Sequence, residues 1–183
     1  MRSIVPVLTF AAIISTAAVV KASDPQAESF ARIYAGICLQ HITNLEGLRT
    51  KLREAPPLPP DKAVLFLQGS PGIAYPVPDK IGAGGTYVVA LPSDKNMCLL
   101  FARRLNAAAV EDYFASLTKN PPRPYSFRFV SDERGTSPTN GPIRTIQYEW
   151  FADGALRKII FTLTTATSEE AQLQGMASVA LTQ

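Results

Sequence analysis

Thr145-Ile-Gln-Tyr-Glu-Trp-Phe-Ala-Asp-Gly-Ala-Leu-Arg-Lys-Ile-Ile-Phe-Thr162 is the stretch that decides the fold class. Asp153-Gly154 sits between two strand-like runs, which predicts a β-hairpin closed by a two-residue turn. That turn places Ala152 opposite Ala155, Trp150 opposite Arg157, Tyr148 opposite Ile159 and Ile146 opposite Phe161. The other face pairs Glu149 with Lys158 and Thr145 with Thr162. One face is therefore aromatic and aliphatic, and the other carries an opposite-charge pair and a threonine pair. Turn chemistry and side-chain pattern agree.

Working outward, Leu173, Gly175, Ala177, Val179 and Leu181 alternate at period two and predict a closing strand over 171–181; a C-terminal helix is the alternative, given the Ala, Gln, Met and Glu residues there. Upstream, Tyr125 to Val130 reads as a strand, followed by a polar loop from Ser131 to Pro142. Asn106 caps a helix with Val110, Tyr113, Phe114 and Leu117 on one face, and Lys119-Asn120-Pro121-Pro122 stops it. Thr86–Leu91 and Met97–Arg103 form a further hairpin. Between Gly69 and Gly85 lie five glycines and three prolines in 17 residues, which reads as a long irregular loop.

Three helices precede that loop. Asp24-Pro25 is a helix start, and Phe30, Ile33, Tyr34, Ile37 and His41 make one apolar stripe with Cys38 beside it. Thr43 to Glu46 is a capping box for a second helix, ended by Pro56 and Pro57. A third, Lys62 to Gln68, is expected to turn Val64, Leu65 and either Leu67 or Phe66 inward. The fold class is α+β: N-terminal helices followed by a β-β-α-β-β-β antiparallel sheet with a helix on its buried face. That layout resembles the profilin-like and roadblock-like folds, whose members bind peptides, proteins or small ligands.

The first 22 residues read as an address label. Met1-Arg2 is basic, Ile4–Val20 is largely apolar, and Val20-Lys21-Ala22 supplies the small residues of a cleavage site before Ser23. Cleavage leaves residues 23–183 as a single α+β domain; a retained anchor is the alternative, disfavoured by the short stretch and Pro6. Arg2 and Lys21 depart with the signal, so the 18 basic residues fall to 16 against 15 acidic ones, a balance of +1 in place of +3. No concentrated basic stripe marks a nucleic-acid binder. Export puts Cys38 and Cys98 in an oxidising compartment, where two thiols become one bridge. Two separate buried thiols are the alternative. In the chain-entropy model, closing that loop stabilises the fold by about 4 kcal/mol at most.

The Cys38 helix, Pro60 to Phe66-Leu67-Gln68-Gly69, the Cys98 strand and the Asp153-Gly154 hairpin together resemble small uncharacterised exported proteins of Gram-negative bacteria. The resemblance implies export and transfers no activity.

Chemistry is sparse. His41 is the only histidine, which excludes any site needing two. A Cys38–His41 nucleophilic pair would require a reduced, accessible Cys38. Gly82, Gly84 and Gly85 after Lys80 could cradle an anion through backbone amides, yet this run opens a strand where a nucleotide loop opens a helix. Asp132 and Glu133 read as solvated loop charges. Trp150 is either core or an exposed anchor, and its place on the apolar hairpin face favours core. Tyr75, unclaimed by any helix or strand pattern, stands out as a recognition residue.

The expected function is a periplasmic or secreted non-catalytic binding or adaptor protein. It would engage a protein or envelope component through Tyr75, Lys80, Gly82, Gly84 and Gly85 and an exposed sheet edge. No cofactor, metal, nucleic acid or transmembrane anchor is expected after signal cleavage. An accessory or inhibitor protein of a secretion or toxin system is one alternative, and a hydrolase built around His41 is another.

Overall fold

A computed structural model of the chain describes residues 24–82 and 84–182. The predicted signal segment, 1–22, lies outside the described residues. The remainder is α+β, built on one antiparallel sheet of seven strands. These are β1 (Gly72–Pro76), β2 (Thr86–Pro92), β3 (Met97–Arg103), β4 (Ser126–Ser137), β5 (Gly141–Phe151), β6 (Ile159–Ala166) and β7 (Gly175–Leu181). Their order across the sheet is β1-β2-β3-β7-β6-β5-β4. The β-β-α-β-β-β order has five strands. The two beyond that count are β1, an unexpected strand added at one edge, and β7, which is the closing strand expected over 171–181 in place of the helical alternative.

Helices α1 (Pro25–Ile33), α2 (Leu45–Leu52) and α5 (Ala107–Thr118) pack on one face of the sheet. Tyr87, Val89, Leu100, Phe161, Leu163 and Val179 meet Phe30, Tyr34, Val110 and Phe114 there. Each such side chain, fully buried, stabilises the fold by about 1.5–3 kcal/mol. The opposite face is covered only beneath β1–β3, where Ala63 and Leu67 of α3 (Pro60–Leu67) pack on Ala74, Val88, Ala90, Leu99 and Phe101. Val64 and Leu65 point outward, 65% and 54% exposed, contrary to the inward orientation expected of them. An eight-residue helix that is apolar nearly all round does not announce which side it buries.

α1 runs into a π-helical turn, Tyr34–Leu39, closed by Gln40 N–H donating to the Ala35 carbonyl at 3.0 Å. The wider turn rotates Cys38 into the centre of the packing face and leaves Ile37 at its flank. Cys38 then bridges Cys98 on β3, with Cα atoms 5.3 Å apart. As expected, the bridge lies on the side that Cys98 shares with Leu100 and Ala102. Tyr34, beside it, donates its hydroxyl to the Ser178 carbonyl at 2.7 Å, tying the same turn to β7. At the far end of α5, the Trp150 indole donates to the Thr118 carbonyl, 2.5 Å away, and so satisfies an orphan helix-end acceptor.

The β5–β6 hairpin keeps its predicted faces and changes its register. Trp150 opposes Ile159, Tyr148 opposes Phe161, Ile146 opposes Leu163 and Thr145 opposes Thr164. Each partner is displaced by two residues, an even shift that preserves inside and outside. A turn does form at Ala152–Ala155, with Gly154 at φ +74° and Ala155 N–H donating to the Ala152 carbonyl. Asp153 keeps a negative φ, so the turn lacks the doubly positive geometry that closes a two-residue hairpin. The strands separate early, and 152–158 is a longer connection.

Two expected loops contain strand. Residues 72–76 of the glycine-proline segment form edge strand β1, and 79–82 form the short helix α4 (Asp79–Gly82). The polar segment after Val130 continues β4 to Ser137, and pairing with β5 is interrupted only between Phe129 and Ser131. No helix among the described residues is long and apolar enough to cross a membrane.

Candidate binding surface

The five residues proposed for binding lie in one segment but do not converge. Tyr75 is a β1 residue opposite Val89 and only 3% exposed, so the reason for singling it out, an aromatic outside regular structure, does not hold. Lys80 is exposed on α4. Gly82 and Gly85 make room for the Tyr87 ring: a Cβ on either would come within 2.9 Å or 2.5 Å of ring atoms. Gly84 turns the chain at φ +77°. Two of these amides are engaged inside the chain, Gly85 N–H donating to the Gly82 carbonyl at 2.8 Å and Gly82 N–H to the Pro78 carbonyl at 3.2 Å. The Tyr87 hydroxyl, thus positioned, donates to the Gln26 carbonyl at 2.9 Å. Burial, reinforced by the Asp24 charge and partly offset by Arg32, raises the Tyr87 phenol above its ordinary pKa.

His41 is half-buried. Its Nδ1 lies 3.1 Å from the Ile37 carbonyl and so carries the proton, which leaves Nε2 to accept from Lys51 Nζ at 3.3 Å. Both ring nitrogens are occupied. Cys38 is fully buried and committed to the disulfide, so the pair holds no thiolate nucleophile. Trp150 is core, its ring 4.6 Å from that of Phe161 and tilted 55° to it.

The strand most open to the outside is β4. It is the sheet's far edge, and nearly every one of its 12 residues is exposed. Phe127, Phe129 and Val130 form an apolar run at 43%, 53% and 44% exposure. Phe129 is partly held by the Tyr148 ring, 5.7 Å away edge-on, with Lys119 Nζ 5.9 Å above the same ring. On the opposite face Arg128 forms an ion pair with the nearly buried Glu149, which Lys158 also approaches at 3.5 Å.

Val130 is a β-bulge. Phe129 opposes Tyr148 and Ser131 opposes Gln147, so one residue of β4 has no counterpart. Past the bulge the even-numbered residues Asp132 and Arg134 take over the face that Phe127 and Phe129 occupied before it. There Arg144 Nη2 and Nε meet Asp132 at 2.6 Å and 2.8 Å, and Nη1 meets Glu111 of α5 at 2.5 Å. Glu111 also accepts from the buried Thr165 hydroxyl at 2.6 Å. Hydrogen bonding to Arg144, helped by its charge, holds the Asp132 carboxyl below its usual value, and the same bonds push the guanidinium further up. Asp132 is thus a strand residue in a fixed ion-pair network, not a solvated loop charge.

Among the depressions formed by the described residues are three of a few hundred Å³. One of about 230 Å³ and one of about 360 Å³ flank Leu65, Phe101 and Leu173 beside α3. A third, of about 380 Å³, opens at the start of α5 between Glu111, Arg134, Arg144 and Thr167. None is lined by Tyr75, Lys80, Gly82, Gly84 or Gly85. Among the described residues no group of three or more His, Cys, Asp or Glu is arranged to hold a metal.

Sequence reasoning placed Phe127 and Phe129 on a strand without identifying them as surface. Their alternation with Ser126 and Arg128 is that of any half-buried strand, and only sheet order reveals an edge. Compared with known protein families, curated proteins and solved structures, the chain matches none.

Proposed function

We propose that this chain is an exported, non-catalytic binding or adaptor protein of the periplasm or of secreted material, which takes up its partner along β4. The observation that carries this reading is an edge strand of 12 residues whose first half exposes Phe127, Phe129 and Val130. Unpaired N–H and C=O groups along such an edge are a template for a further strand, and exposed aromatics beside them add side-chain specificity. The charged second half, Asp132 to Arg134, and the bulge limit indiscriminate pairing and confine the useful edge to Ser126–Val130. The Cys38–Cys98 bridge supports an oxidising compartment and hence cleavage before Ser23. A protein component of the cell envelope is the partner class that fits a strand-adding edge in that compartment.

The test is a cross-linked pull-down from envelope extract with the wild-type chain and with Phe127→Ser/Phe129→Ser. The reading expects one stoichiometric protein with wild type, its loss with the variant, and nearly unchanged thermal unfolding. Equal capture by both chains would overturn the edge as the binding element. Intact mass of the exported protein checks the compartment: a chain beginning at Ser23 supports it, and an unprocessed cytoplasmic chain refutes it.

A further inference from the structure

The sheet end built from residues 119–128 and 149–158 carries a second surface. Its two stretches are held together: Ser126 opposes Phe151, the Tyr125 and Trp150 rings are 6.3 Å apart, and the Arg128 guanidinium lies 5.4 Å over the Phe151 ring. They contain five cations (Lys119, Arg123, Arg128, Arg157 and Lys158) and two carboxylates (Glu149 and Asp153), a local balance of +3. The other described residues have eleven cations against thirteen carboxylates. Nearly neutral overall, the described chain concentrates its positive charge at one end.

At the tip of that end stands Leu156, 95% exposed. Its loop is tethered. Ala155 N–H donates to the Ala152 carbonyl on one side, and on the other the Lys158 N–H and carbonyl bond to Thr182 at 2.8 Å and 2.9 Å. The leucine is thus held out on a braced loop beside Arg157 and Lys158.

We propose that this end docks on an anionic lipid bilayer, with Leu156 entering the headgroup–acyl boundary and Lys119, Arg123 and Arg157 lying over acidic headgroups. Charge complementarity selects a lipid surface of negative sign, and the protruding apolar residue selects a bilayer over a soluble polyanion, which offers nothing apolar to enter. Phe127, at the same end, widens the apolar contact. One leucine and a few cations make the attachment reversible and salt-sensitive. This surface overlaps the β4 edge only at Ser126–Arg128, and Leu156, Arg123 and Arg157 lie outside that edge, so variants at those positions let either reading fail alone.

The experiment places a reporter in the otherwise unaltered chain as Leu156→Trp, with the buried Trp150 as a constant background. It is mixed with vesicles of phosphatidylglycerol and phosphatidylcholine, or of phosphatidylcholine alone. The expected result is a shift of the added indole's emission to shorter wavelength, and quenching by brominated acyl chains, on the anionic vesicles only and reversed by salt. No shift on anionic vesicles, or an equal shift on neutral ones, overturns the proposal. Because the reporter sits at position 156, apolar residues elsewhere in the chain do not produce the signal. In co-sedimentation, Leu156→Asp and the double variant Arg123→Glu/Arg157→Glu are each expected to weaken binding by about tenfold or more. Loss with the charge variant and none with Leu156→Asp would refute insertion and leave a surface for acidic macromolecules. Thermal unfolding of each variant, expected to be unchanged, shows that the fold is intact.

Discussion

The two halves of the sheet follow different rules although one ladder joins them. β2 and β3 lie between α3 on one side and α1, α2 and the π-turn on the other, and almost every residue in them is buried. β5 and β6 are covered on one face, so burial alternates, while Thr145, Gln147, Thr162 and Thr164 line the open face and hydrogen-bond to one another. β4 is covered on neither face to any depth. The disulfide belongs to the first region and the exposed aromatics to the second. One half of the sheet thus acts as foundation, and the other is free to vary its surface without loss of core.

The sharpest way to break this contrast is the same deletion made in both halves. Phe101→Ala, in the covered half, is expected to cost about 3–5 kcal/mol, and Phe129→Ala about 0.5 kcal/mol or less, by denaturant unfolding. Similar costs at the two sites would abolish the distinction. Replacing both Cys38 and Cys98 with alanine should remove about 2–4 kcal/mol, seen first as faster hydrogen exchange in β3 and the π-turn; earlier loss in β4 would put the bridge's influence in the wrong half.

Tyr34→Phe is expected to cost about 1–2 kcal/mol at neutral pH, because the Ser178 carbonyl loses its donor. Burial raises the Tyr34 phenol well above its ordinary value of 10.0. Its contribution is therefore complete below pH 10.0 and is lost as pH climbs from there toward the higher folded value. The phenylalanine variant should lack that alkaline decline in a pH series of unfolding curves. An unchanged decline would assign it to another group.

The smallest effect belongs to Asp132→Asn. With its carboxyl held below 3.8 in the folded chain, Asp132 contributes above that value and loses its contribution as pH falls through the depressed one. The variant should flatten the acid limb of stability slightly. A variant that leaves the limb unaltered would mean that Arg144 gains nothing from this partner.

How much of this was legible depended on burial. Faces were readable wherever one side of an element meets the core: Trp150, Tyr148 and Ile146 were correctly placed inward, as were Val110 and Phe114 of α5. Register was not, because Asp153-Gly154 competes with three large apolar cross-strand pairs, and packing of Trp150 on Ile159, Tyr148 on Phe161 and Ile146 on Leu163 outweighs the turn. The extension of β4 through Ser131–Ser137 was invisible for the opposite reason. A strand exposed on both faces has no apolar period to detect. β1 was masked by Gly72 and Pro76 at its ends, where an edge strand tolerates both. Cys38 was read correctly as a bridge partner while the π-turn that carries it inward left no mark in the spacing. The binding surface was the least legible part, since exposure at Phe127 and Phe129 is a property of sheet order that no local pattern encodes.

The bulge at Val130 has a consequence for how this edge tolerates insertion and deletion. Val130 is the one β4 residue without a partner on β5, so removing it would leave Phe129 opposite Tyr148 and Ser131 opposite Gln147, now in unbroken alternation. Asp132 and Arg134 would keep their face, and Arg144 its carboxylates. A residue lost from 131 to 134 would instead turn part of the strand over and take Asp132 away from Arg144. Position 130 is where this edge can shorten by one residue and keep its ion pairs.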